Sequence, residues 1–100
     1  MRRSLPISEG CVVKSLRGRD GGRRLIVLRL IDEAFAYVAD GDLRKVDKPK
    51  RKRRTHLKFE GDPIPELARR LAGGERVGDH ELRAALEAYG TEEESTIGKS

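Results

Sequence analysis

From residue 11 to residue 59 the apolar positions fall in short runs broken by glycine, proline and charge, and the runs alternate instead of keeping a helical period. After Gly10, the run Cys11-Val12-Val13-Lys14-Ser15-Leu16 reads as a strand. Residues 17–24 form a turn cluster in which Gly18, Gly21 and Gly22 supply the positive φ angles that tight turns require. Residues 25–31 hold six aliphatics in seven positions and stop at Asp32-Glu33. That is short for a helix and rich enough in branched side chains for a central strand. Residues 34–39 place Phe35, Tyr37 and Ala39 on one face of the next strand, and Asp40-Gly41 predicts a hairpin with residues 43–46 as a strand opposite. Pro49 keeps the segment 48–54 out of any central strand. Residues 55–59 alternate again and are expected to close five short strands into a barrel.

Past Glu60-Gly61 the period lengthens from two to about 3.6. Asp62 ahead of Pro63 predicts an N-cap with proline in the first turn, and Ile64, Leu67, Ala68 and Leu71 share one face up to Gly73-Gly74. Asp79 is expected to cap a second helix with the stripe Leu82, Ala85, Leu86 and Tyr89, ending at Gly90. Helices this short are marginal alone, so both stripes need something to pack against. The organisation expected is a flexible lead-in over 1–8, a β-domain over 9–59, a two-helix extension over 60–90 and a disordered tail over 91–100.

Composition narrows the function. Of 100 residues, 36% are hydrophobic and 39% charged, so the core must be small. Two Phe, two Tyr and no Trp leave little to line a large ligand pocket. Residues 1–58 carry 17 Lys/Arg against 7 Asp/Glu, a net +10, whereas residues 59–100 carry 5 against 10, a net −5. A basic front half joined to an acidic back half points to a polyanionic partner for the front half alone. The single cysteine, Cys11, allows no internal disulfide and sits in an apolar run, where it reads as a small buried hydrophobe. No apolar stretch is long enough for a membrane span, and the opening Met-Arg-Arg-Ser-Leu-Pro is not followed by a signal-peptide core. The cytoplasm is the expected compartment.

Motifs of catalysis are missing: there is no HExxH, GxSxG, GxxxxGK[ST] or Cys/His cluster. His56 and His80 read as surface or structural histidines. The expectation is a protein that is not an enzyme and uses no metal or cofactor. Two segments attract attention instead. The first sets Arg17, Arg19, Arg23 and Arg24 around Gly18 and Gly22, where bared amides and arginine forks suit phosphate. The second puts six cations in seven residues: Lys48, Lys50, Arg51, Lys52, Arg53 and Arg54. Arg44 and Lys45 precede it on the expected hairpin. Taken singly, the first segment could be only a hairpin connection and the second only a solvated or targeting run. Together they predict a surface that binds RNA backbone with marked salt dependence. Phe35 and Tyr37 are expected in the core, which favours phosphate and shape reading of folded RNA over base stacking.

The same residues resemble a known family. Gly10-Cys11-Val12-Val13, then Gly18-Arg19-Asp20-Gly21-Gly22-Arg23, the aliphatic strand and Val38-Ala39-Asp40-Gly41 resemble a KOW motif. With Leu43-Arg44-Lys45, Lys48-Pro49-Lys50-Arg51-Lys52 and His56-Leu57, residues 9–59 are similar to KOW proteins related to the eukaryotic and archaeal large-subunit ribosomal family fourteen. The resemblance implies a mainly β fold, a five-stranded barrel of the Src-homology-3 type, here followed by two short α-helices. It also implies binding of RNA, commonly ribosomal RNA, with the turn 18–22 and its arginines as the RNA-facing loop and Gly22 as the glycine before the long strand. Residues 60–90 lie outside the motif, which leaves open a ribosome-associated accessory factor meeting ribosomal proteins. A second class stays open as well: a protein-interaction adaptor in translation or transcription.

Overall fold

The computed structural model describes residues 7–18 and 21–98, with side chains through residue 90. Arg19 therefore lies outside the described residues, as do the lead-in through residue 6 and the last two positions of the tail. Five antiparallel strands come first: β1 (Val12–Ser15), β2 (Arg24–Leu30), β3 (Phe35–Ala39), β4 (Lys50–Arg53) and β5 (Leu57–Gly61). Two helices follow, α1 (Pro65–Ala72) and α2 (Asp79–Gly98). The strands form one sheet in the order β4-β3-β2-β1-β5, so the fold is mainly β with a helical extension.

β2 explains why its sequence is almost continuously aliphatic. Successive side chains of a strand point to opposite faces, and both faces of β2 are covered. Leu25 and Val27 pack with Ile7, Cys11, Val13, Ala36, Val38 and Leu57. Ile26 and the half-buried Leu28 pack on the other face with Ala39 and with Ile64, Leu67, Leu71, Val77, Leu82 and Leu86 from the helical half. A Val, Leu or Ile side chain among these that is taken fully out of water contributes about 1.5–3 kcal/mol. The acidic half therefore completes a second core layer on the sheet. Burial pushes the Cys11 thiol above its ordinary value, in keeping with a small hydrophobe in the inner layer.

The sheet is curled. Its edge strands β4 and β5 would stand about 19 Å apart in a flat five-stranded sheet. They are joined by one 3₁₀ turn, Arg54–His56, which rises only about 6 Å. The ladders run into this corner from both sides: Arg54 N donates to Ala34 O at 2.7 Å, and Leu16 N donates to His56 O at 2.9 Å. Register shifts at Val12/Val13 and Val27/Arg29 supply the local bends. No ladder joins β4 to β5, so the sheet remains open along that seam.

Three sequence expectations are corrected. Residues 43–46 are not a strand; β3 pairs with the basic run instead, Phe35 opposite Arg53 and Val38 opposite Lys50. Asp40 is the reason, because its Oδ1 accepts the amides of Asp42 and Arg44, both at 2.9 Å, and bends the chain out of the ladder. Leu43 is left 64% exposed, while Val46 turns toward the helices with its N–H on Asp79 Oδ1 at 2.7 Å. As Pro49 implied, the strand that follows lies at the sheet edge. Second, α1 starts later than expected: Ile64 is its N-cap, without a side-chain cap, and Pro65 opens the helix. Ile64, Leu67 and Leu71 of the expected stripe pack in the outer layer, and the stop at Gly73-Gly74 is observed. Third, the backbone of α2 continues past Gly90 to Gly98, where a disordered tail was expected. A glycine inside a helix costs about 1 kcal/mol and weakens the helix without obliging it to stop.

α2 is anchored at both ends of its described face. Arg70 of α1 donates to Glu81 and, at 3.0 Å, to Arg76 O, tying the two helices together. Arg83 Nη1 donates to Gly41 O at 2.6 Å, and the Tyr89 hydroxyl donates to Glu60 O at 2.7 Å. Among the described residues no helix is long and apolar enough to cross a membrane.

Candidate nucleic-acid interface

The curl brings the stem of the glycine turn against the basic edge strand. Arg17 and Gly18, just after β1, line one side of an open cleft of about 360 Å³; Lys50, Arg51, Lys52 and Arg53 of β4 line the other, with Phe35 and His56. Among the described residues no Asp or Glu lines it. Alternation along β4 divides its cations. Arg51 and Arg53 stand on the side of Tyr37 and Phe35, whereas Lys50 and Lys52 share the side of Val38 and Ala36.

Lys52 departs from the expectation of a fully solvated run. It is buried, and its ammonium donates to Arg17 O at 2.8 Å. The contact ties the edge strand to the end of β1 and sets the width of the cleft, so Lys52 is a positioning residue. Gly18, at φ +81°, lies under that ammonium; a Cβ there would stand 3.4 Å from Nζ.

The other arginines of the turn do not join the cleft. Arg23 donates to Asp40 Oδ2 at 2.5 Å. Arg24 lies 3.5 Å from Glu60 and stacks over the Tyr89 ring at 5.1 Å. Both face the helical half. Arg54 is half-buried and donates to Asp32 O at 3.0 Å. Lys45 and Lys48 are exposed, and Arg44 half-buried, in the connection that Asp40 shapes; none lines the cleft. Gly22 holds φ +84° and donates its N–H to Ser15 O at 2.7 Å, so its place is the turn itself. The expected single surface of turn arginines plus basic run thus narrows to Arg17, Gly18, Lys50, Arg51 and Arg53, braced by Lys52.

Two residues were missed. His56 sits at the corner between the edges because the 3₁₀ turn puts it there. Phe35, expected in the core, belongs to neither apolar cluster; it is half-buried, with Arg51 and Arg53 over its ring at 4.5 and 5.0 Å. Alternation had placed Phe35 and Tyr37 together, and only the position of the helices decides that their end of the outer face stays uncovered.

Asp40 links the site to stability. Burial works to raise its carboxyl, but the amides of Asp42 and Arg44 and the Arg23 guanidinium outweigh it and hold the group below the ordinary carboxylate value. A carboxyl depressed in the folded state adds stability that is present above its unfolded value of about 3.9 and lost as pH falls through the folded value. Acid titration of the melting temperature is therefore expected to fall below about pH 4, and Asp40→Asn is expected to flatten that acid limb. An acid limb identical in the variant would overturn this role.

No known protein-family model matches the chain. Among the described residues no group of three or more His, Cys, Asp or Glu is placed to hold a metal ion.

Proposed function

We propose that the chain is a cytoplasmic RNA-binding module of the KOW type, non-catalytic, which grips ribosomal RNA through the cleft between Arg17 and the β4 edge. The observation that carries this reading is the sorting of charge. Arg23, Arg24, Arg70 and Arg76 are matched to carboxylates, whereas the described residues that line the cleft include Arg17, Lys50, Arg51 and Arg53 and no carboxylate. Like charges gathered at one place repel unless an anion is expected there, and arginine is the side chain best shaped to fork a phosphate. The strand order, with edge strands joined by a three-residue corner, supports reading the sheet as an open barrel of the Src-homology-3 type. The acidic helical half is the side that would meet ribosomal proteins.

A salt titration of binding to structured ribosomal RNA tests the proposal. If Arg17, Lys50, Arg51 and Arg53 neutralise four phosphates, log affinity should fall against log salt with a slope between about −3 and −3.6. That is a loss of about a hundredfold between 50 and 200 mM salt. A flat titration would overturn the RNA reading and leave the protein-interaction adaptor in its place.

A further inference from the structure

Phosphate binding leaves part of the cleft unused. Phe35 opens β3, next to the edge strand β4, outside both apolar clusters, and two guanidinium groups lie over its ring, Arg51 at 4.5 Å and Arg53 at 5.0 Å from the ring centre. The register fixes this layer, with Arg53 directly opposite Phe35 and Arg51 two residues along on the same side. A guanidinium is planar and weakly hydrated, and it stacks on aromatic faces and on bases alike. The result is a flat surface edged with positive charge, which suits a nucleobase and its adjoining phosphates.

The backbone beneath adds hydrogen-bonding groups. Among the described residues β4 pairs with β3 alone. In an antiparallel edge, alternate residues turn N–H and C=O toward the neighbour and away from it. Arg54 N bonds to Ala34 O, so Arg53 and Arg51 are the residues whose N–H and C=O face outward. A base drawn out of its helix can use both the stacking surface and these groups. A base inside a duplex can use neither, because its faces are stacked and its pairing edge is taken.

We propose that this edge holds an unpaired nucleotide of RNA, a bulged or loop base stacked on the Phe35–Arg51–Arg53 layer with its flanking phosphates on Arg17 and Lys50. The inference rests on the RNA reading above and deepens it from a phosphate surface to a site for one extruded base.

The test uses the full chain and two RNAs of equal phosphate count: a blunt two-strand duplex, and a duplex carrying one bulged 2-aminopurine. Wild type should bind the bulged RNA roughly 5- to 150-fold more tightly, the range expected for one base stacked on an aromatic. The 2-aminopurine emission should change on binding. Phe35→Leu should abolish the emission change and bring affinity for the bulged RNA down to that for the duplex, and Phe35→Tyr should restore both. If Phe35→Leu does not fold, the wild-type preference and emission change decide alone. Equal affinity for the two RNAs with unchanged emission would overturn the base site and leave the phosphate reading standing. Salt-independent binding of both RNAs would overturn the RNA reading itself.

Discussion

Gly41→Ala is expected to lower the melting temperature by about 15 °C, whereas Gly22→Ala should lower it by only about 5 °C. The two glycines have nearly the same backbone, φ +80° and φ +84°, so the cost of placing a Cβ in the left-handed region is common to both, about 1 kcal/mol. Their surroundings differ. Nothing lies within 4 Å of a Cβ built on Gly22. A Cβ on Gly41 would overlap the Asp79 carbonyl at the start of α2 and stand 3.1 Å from Arg83 Cγ. Arg83 also donates to Gly41 O, so the turn and the helix cannot part without losing that bond. Strain and overpacking together bring the Gly41 cost to about 3 kcal/mol. At about 4–8 °C per kcal/mol for a domain of this size, thermal melts separate the two variants clearly. Equal shifts would mean that α2 does not rest on the turn, and that the second apolar layer is held by the remaining contacts.

Much of the sheet could be read from the residues, and the reasons are local. The run in β2 is aliphatic at nearly every position because both of its faces are buried. Glycine at 22 was legible because the turn demands positive φ. The hairpin at Asp40-Gly41 was legible as a turn but not as the wrong kind of turn. Whether a strand resumes at residue 43 depends on Asp40 capturing two amides and Arg23, a residue 17 positions earlier. The site divides in the same way. Charge density singled out Lys50, Arg51 and Arg53, and the fold brings these three to the cleft. Arg23 and Arg24 look the same in sequence and differ only in which acids fold against them, Asp40 and Glu60. Pairing across such sequence separations is a property of the fold, so a count of cations overstates the binding surface.

Charge sorting leads to the largest expected effect on binding. Arg17→Ser, Lys50→Ser and Arg51→Ser combined should weaken RNA affinity by about 500-fold at 0.1 M salt and reduce the salt slope by about 2.7, since each phosphate contact contributes about 0.9 to the slope. The combination Lys45→Ser, Lys48→Ser and Lys58→Ser removes the same charge from exposed positions outside the cleft. It should weaken affinity only severalfold and leave the slope nearly unchanged, because long-range attraction is screened within about 10 Å at this ionic strength. Neither combination should move the melting temperature much. Exposed substitutions stay within about 0.5 kcal/mol, and the contact of Arg51 with Phe35 adds about 0.5–1 kcal/mol at most. Isotherms at three or more salt concentrations for both variants give the comparison, with a melt of each as a check on folding. Equal losses in the two variants would show a diffuse attraction of the whole basic half for RNA, and the cleft would then have no claim to be the site.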